Sequence, residues 1–325
     1  MSQLFVRTAR HLIGKHHART KRMERNKSIV KPVYNKEGIE LFRCDVFDCL
    51  KVLPKNIIQT CITSPTYWGK RRFTHDKKEF GSETLEEYVD KNVKLFSSIL
   101  ELMKDGGSLF VVIQDTFMGS GVSRSHQNYW SNNQDPSYKR VGLDSRGQGN
   151  TSSVTAHHSI IRNKSLSGIP YRIALKLVDM RYTWREQIIW EKPNPMPENV
   201  QDRVRQSAEY ILHFTKNGKY KFNPQPFMVK TQDGGMRMDN QVWVIPPEHK
   251  EGHTATFPSK LVKRLLLATT DAGDTVFEPF LGSGTMLDLC LETKRKFIGC
   301  DINKTFVNEA VKKLKEETRL TSFAH

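Results

Sequence analysis

Toward its C-terminal end the chain reads DTVFEPFLGSGTMLDLCLETKRKFIGCDIN: an apolar strand pattern, a glycine turn, a helical stretch through Leu291, a second strand, then a last helical pattern from about Asn303. Two βα units in succession leave few architectures open. A strand that returns parallel to its predecessor by way of a helix needs a sheet covered on its faces, so the expected fold is α/β with a mostly parallel, helix-covered sheet. At 325 residues the chain can bury such a core as one large domain or as one domain with a smaller appendage.

The same alternation runs upstream. IELFRC reads as a strand, DVFDCLKVLP as a helical turn closed by Pro54, and IIQTCITS as a strand ending at Ser64. Thr84 and Glu87 have capping-box spacing at the head of a long helix that carries Leu85, Val89, Phe96, Leu100 and Met103 on one stripe. Gly106 and Gly107 are expected to stop it, and SLFVVI has the unbroken apolar character of a central strand. Residues 117–168, rich in Ser, Gly, Asn, His and Arg, interrupt the pattern as a functional loop or a disordered stretch. A helix follows near Ile169 to Met180, then strands in WREQIIW and EYILHFTK around the rigid turn EKPNPMPENV. Residues 217–252 read as irregular, and Pro258 opens another helix.

Lys and Arg outnumber Asp and Glu by 51 to 35, a formal charge of +16 with a pI near 9.6. That balance favours a polyanionic partner, nucleic acid first, over a merely solvated basic surface. Residues 1–36 hold ten Lys and Arg against one acid, Glu24, and read as a basic DNA-contacting arm, a disordered tail or an organelle transit peptide. Five cysteines, Cys44, Cys49, Cys61, Cys290 and Cys300, lack zinc-site spacing, so no disulfide framework or structural zinc is indicated and reduced cytosol fits. No apolar run approaches the ~20 residues of a membrane span, which predicts a soluble protein without membrane contact.

Gly282 and Gly284 sit where a strand hands over to a helix, a place where a ligand can approach the backbone closely. Leu287 stands where a dinucleotide fingerprint needs a third glycine, and the Gly-Lys-Ser/Thr ending of a phosphate loop is absent. Asp301 closes the next strand, where a carboxylate can take both hydroxyls of a ribose. These favour a nucleoside without a pyrophosphate; the plainer reading is a tight turn with a helix-capping Asp. At the other corner, CITSPTYWGKRRF puts Ser64 at a strand end, followed by Pro65 and Tyr67. A hydroxyl and a rigidly aimed main-chain carbonyl supply two acceptors, which suits an exocyclic amine with two hydrogens to place. Tyr67 offers a π face to an unstacked base, and Lys70, Arg71 and Arg72 offer cations to phosphates. The alternative is a strand-end turn with a buried Trp68 and a solvated basic patch.

Together these segments resemble the β-class, circularly permuted amino-group DNA methyltransferases of restriction-modification systems. The stretch around Ser64 is similar to their Ser-Pro-Pro-Tyr/Phe motif, and EPFLGSGT to their S-adenosylmethionine motif, in the permuted order. The likeness runs through roughly residues 38–115, 169–216 and 253–316. It implies a Rossmann-like class I S-adenosylmethionine-dependent methyltransferase fold with inserted recognition segments. Its catalytic residues would be Ser64, Pro65, Thr66 and Tyr67. Cofactor contacts would be Asp45 at the adenine with Val46, Thr63, Glu278, Phe280, Gly282, Ser283, Gly284 and Thr285 around the turn, and Asp301 at the ribose with Ile302. Phe257, Pro258 and Ser259 would lie near the methionine portion. Trp68, Lys70, Arg71 and Arg72, with Lys192 and Asn194 of the Trp-x-Lys-x-Asn-x-x-Pro stretch, are the expected contacts to double-stranded DNA. Thr66 departs from the family by replacing the second proline, leaving that backbone less constrained.

Ser rather than Asp at position 64 resembles enzymes that methylate cytosine N4, with adenine N6 as the alternative and a decayed, binding-only site as another. None of the five cysteines follows a proline, which disfavours cytosine-C5 chemistry. No metal is required, and a cognate restriction endonuclease and a cytoplasmic setting are implied. The expected division is 1–36 basic arm, 37–116 catalytic half, 117–168 polar insertion, 169–216 continued core, 217–252 recognition segment and 253–325 cofactor half.

Overall fold

A nine-stranded mixed sheet organises the computed structural model, which describes residues 30–69, 76, 78–119, 158–195, 200–250 and 253–322. The chain divides into two units, Met1–Lys31 and Pro32–His325, and every element named here lies in the second. In chain order the first half holds β1 (Tyr34–Lys36), β2 (Ile39–Arg43), α1 (Val46–Leu50), β3 (Ile58–Thr63), α2 (Leu85–Leu102), β4 (Met103–Ile113), α3 (Ile169–Asp179), β5 (Thr183–Glu191) and β6 (Ala208–Thr215). The second half holds β7 (Met228–Lys230), β8 (Met236–Met238), β9 (Val242–Val244), β10 (Glu248–Lys250), β11 (His253–Thr256), α4 (Ser259–Thr269), β12 (Thr275–Glu278), α5 (Thr285–Glu292), β13 (Lys296–Asp301) and α6 (Lys304–Ser322).

Across the sheet the order is β1-β2-β13-β12-β3-β4-β6-β5-β9. From β2 to β4 every neighbouring pair is parallel, while β6 runs antiparallel between β4 and β5. The first and last parts of the chain therefore interleave: β13 and β12 lie between β2 and β3. Burial follows from this. Every residue of β3 is buried, and β4 is buried from Gly107 to Ile113, as central strands covered on both faces must be. Leu261 and Leu265 of α4, Leu287 of α5 and Val307 of α6 pack with Ile62, Phe110, Val276 and Phe297 of the sheet in one apolar cluster.

The capping box is present: Thr84 Oγ1 accepts the Glu87 N–H, and Glu87 returns a carboxylate to the Thr84 N–H at 3.1 Å. Two expectations need correcting. Gly106 and Gly107 do not end α2, which stops at Leu102 and passes directly into β4; the glycines lie inside that strand. A Cβ on Gly107 would stand 3.0 Å from the Lys104 carbonyl oxygen and 3.1 Å from that of Gln59, so glycine is needed for the two backbones to approach. Residues 217–252 are also more regular than expected. They contain the β7–β8 hairpin, the edge strand β9 on β5, and β10, which pairs with β11. Among the described residues no helix is long and apolar enough to cross a membrane. Most of the basic arm and of the 117–168 insertion lies outside the described residues.

Candidate active site

In a parallel α/β sheet the carboxyl ends of the strands form the usual ligand edge. Here β2, β13, β12 and β3 are consecutive neighbours, and at or just beyond their carboxyl ends stand Asp45, Asp301, Glu278 and Ser64. The two corners are joined directly: Thr63 Oγ1 donates to Glu278 Oε1 at 2.7 Å across 215 residues of chain.

Glu278 also accepts the Phe280 N–H at 3.2 Å, and burial pushes its carboxyl up to about 8. Asp301 accepts the N–H groups of Gly282 at 3.0 Å and Asn303 at 2.7 Å, and burial pushes it up to about 6. Between them runs the glycine turn. Gly282 has φ +50° and Gly284, the N-cap of α5, has φ +73°, left-handed backbone that favours glycine. A Cβ on Gly284 would meet nothing within 4 Å, so the space over the turn is open to a ligand. Ser283 and Thr285 lie within hydrogen-bond reach through their hydroxyls at 3.2 Å, and Ile302 follows Asp301, half-buried. Asp45 caps α1 by accepting the Phe47 N–H at 3.0 Å, and its carboxyl is pushed up by burial. Val46 is buried behind it. Phe47 stacks on Phe80, which meets Phe280 edge-on at 5.2 Å, so an aromatic row links α1 to the glycine turn. Phe257 is half-buried, Pro258 caps α4, and Ser259 donates to Glu248 at 2.7 Å; α4 packs against β3.

At the other corner Ser64 is half-buried and Pro65 buried. The Thr66 carbonyl accepts the Tyr88 hydroxyl at 2.9 Å, so α2 supplies a restraint where the second proline is lacking. The Tyr67 hydroxyl donates to Glu209 Oε2 at 2.5 Å, and the opposite carboxylate oxygen takes Lys192 Nζ. Burial, reinforced by the Glu209 charge, holds the Tyr67 phenol well above its ordinary range.

Trp68 corrects an expectation: it is 1% exposed and its indole N–H donates to the Glu83 carbonyl at 2.8 Å, leaving no surface for DNA. Lys192 is likewise committed to Glu209 and lies over the Trp190 ring at 4.6 Å, which makes it a support for Tyr67. Asn194 is exposed, and Lys70, Arg71 and Arg72 lie outside the described residues. Sequence reasoning missed Glu209, although an acid in the apolar strand pattern of EYILHF was a signal. It also missed Asp115 at the end of β4, whose buried carboxylate accepts the N–H groups of Thr116, Gly168 and Ile169 and so fixes the start of α3. A cavity of about 550 Å³ lined by Lys260, Arg264, Asp271 and Arg295 lies near the amino ends of β12 and β13, the opposite edge from these acids.

Two solved structures share this arrangement of sheet and helices. PvuII DNA methyltransferase (cytosine-N4-specific) matches with a TM-score of 0.62 and 19% identity over 86% of each chain. TTHA0409 from Thermus thermophilus, solved in complex with S-adenosyl-L-methionine, matches with a TM-score of 0.57 and 20% identity, over 86% of this chain and 94% of that one. The fold is therefore that of the class I S-adenosylmethionine-dependent methyltransferases. The DNA methylase family model matches residues 58–312. Among curated relatives, type II methyltransferase M.Cfr9I of Citrobacter freundii is 31% identical over 86% of this chain and 89% of its own. Type II methyltransferase M.XycI of Xanthomonas campestris pv. cyanopsidis is 30% identical over 85% and 88%. The chain belongs to the DNA methylase family.

Proposed function

We propose that this DNA methyltransferase modifies the exocyclic N4 amine of a cytosine turned out of double-stranded DNA, with S-adenosylmethionine as donor, beside a cognate restriction endonuclease. The observation that carries the reading is the Thr63–Glu278 hydrogen bond, which makes one site of the Ser-Pro-Thr-Tyr corner and the glycine turn. The open left-handed turn and the neighbouring acids fit a nucleoside: Asp301 would hold the ribose, Asp45 the adenine, and Glu278, Phe280, Gly282 and Gly284 the wall between. When bound, the cofactor supplies a methyl group activated by a sulfonium.

The protein's own part is placement. Ser64 and the adjoining main-chain carbonyl accept hydrogen bonds from the amine and aim its nitrogen. Tyr67, held by Glu209 and Lys192, gives the extruded base a face to stack on. Catalysis of this kind is mainly orientation. The hydroxyl at position 64, where adenine-N6 enzymes usually have a carboxylate or amide, supports cytosine N4. Sequence reading falls to the 117–168 and 217–252 segments. The names of the type II relatives support the pairing with an endonuclease.

Incubation with duplex DNA and labelled cofactor, digestion to nucleosides and mass spectrometry tests the reading. N4-methylcytosine is expected, and N6-methyladenine or no incorporation overturns it. Ser64→Ala should slow transfer roughly 10²-fold with cofactor affinity kept; wild-type turnover in that variant removes Ser64 from the mechanism.

A further inference from the structure

Folding gathers three thiols that the sequence keeps apart. Cys44 follows β2, Cys49 lies in α1 and Cys300 in β13, and their sulfurs stand within 4.8 Å of one another. All three are free; Cys49 and Cys300 are buried, and Cys44 is half-buried. The sulfurs of Cys44 and Cys300 are 3.9 Å apart. Two sulfurs on one tetrahedral ion, each at the usual zinc–thiolate length of ~2.3 Å, stand about 3.8 Å from each other. The Cys44–Cys300 spacing is thus that of two donors sharing an ion, with the Cys49 sulfur within 4.8 Å of both.

We propose that Cys44, Cys49 and Cys300 form a binding site for one thiophilic metal ion of the Zn²⁺, Cd²⁺ or Cu⁺ class, held by three sulfurs, with water completing a fourth position beside the half-buried Cys44. Soft sulfur donors select such ions over Mg²⁺ and Ca²⁺. On binding, all three thiols give their protons to solvent, the Cys300 S–H leaving its acceptor, the Cys44 carbonyl at 3.3 Å, so affinity rises with pH. Successive strand residues face opposite sides. The Cys300 sulfur therefore points away from the carboxyl of Asp301, and the ion sits behind the nucleoside edge while tying together β2, α1 and β13.

The full chain, reduced with a phosphine and exchanged into metal-free buffer, is titrated with cadmium chloride. One equivalent is expected to bind with a thiolate-to-cadmium charge-transfer band in the ultraviolet, and zinc chloride is expected to raise the melting temperature. Cys44→Ser and Cys300→Ser should lose the band and the shift, with at least tenfold weaker binding, while Cys290→Ser keeps both. Melting curves of the metal-free variants establish folding, and Cys44→Ser, at the half-exposed position, decides the matter if Cys300→Ser does not fold. Absence of the band in wild type, or an undiminished band in Cys44→Ser, overturns the site. None of these readouts involves methyl transfer, so they stand or fall separately from the proposed activity.

Discussion

Replacing Glu278 by Gln isolates what burial does to one carboxyl. Glu278 is 2% exposed, and burial raises its pKa from 4.5 to about 8 against the opposing hydrogen bond from Thr63. Between those values the native protein keeps a proton that the unfolded chain releases, so stability falls as pH rises. The contribution is complete below about pH 4.5 and is lost through about pH 8. Each pH unit in this window is worth about 1.4 kcal/mol, so from pH 5 to pH 7 the wild type should lose roughly 2–3 kcal/mol that the variant retains. Gln keeps a carbonyl oxygen for the Thr63 hydroxyl and the Phe280 N–H, so packing changes little. Asp301, pushed up to about 6, adds a lower-pH loss common to both proteins. Urea denaturation of the pair at pH 5, 6 and 7 reads the difference. The gap should open with pH in favour of Glu278→Gln; a gap independent of pH would refute the idea that burial keeps this carboxyl protonated.

Asp301→Asn should weaken S-adenosylmethionine binding by roughly 1.5–3 kcal/mol, measured calorimetrically, and unchanged affinity would remove Asp301 from the ribose site. Glu209→Gln places an amide against Lys192 and should cost roughly 1–3 kcal/mol of stability; an unmoved urea midpoint would show that the pair makes no net contribution. Gly299→Ala puts a Cβ 2.6 Å from Phe297 Cε1 and should destabilise by roughly 1–3 kcal/mol. A melting temperature equal to wild type would mean that the ring moves aside freely.

Local elements were legible because local rules govern them. The glycine turn between β12 and α5 and the capping box at Thr84 are each written within a few residues. The end of α2 is displaced from the glycine pair because Gly107 serves the approach of β4 to β3, a tertiary demand that outweighs its usual stop signal. The family likeness puts Trp68 outward beside its cationic neighbours, but the plainer reading of a buried Trp68 is the one the structure has, with the Glu83 carbonyl satisfying its N–H. Glu209 and the trio of Cys44, Cys49 and Cys300 depend on which strands become neighbours, and Asp115 on where the start of α3 docks. No spacing along the chain reports that β13 lies beside β2.

The insertion of β12 between β13 and β3 has a consequence for synthesis. A growing polypeptide can give β3 its partner β4 early, but the opposite edge of that wholly buried strand waits for β12, which lies far further along the chain. Until then it is an uncapped template for pairing with other chains. A product truncated before β12 should consequently be an aggregation hazard devoid of donor affinity, and timely emergence of the late segment, or chaperone cover meanwhile, becomes a condition for yield.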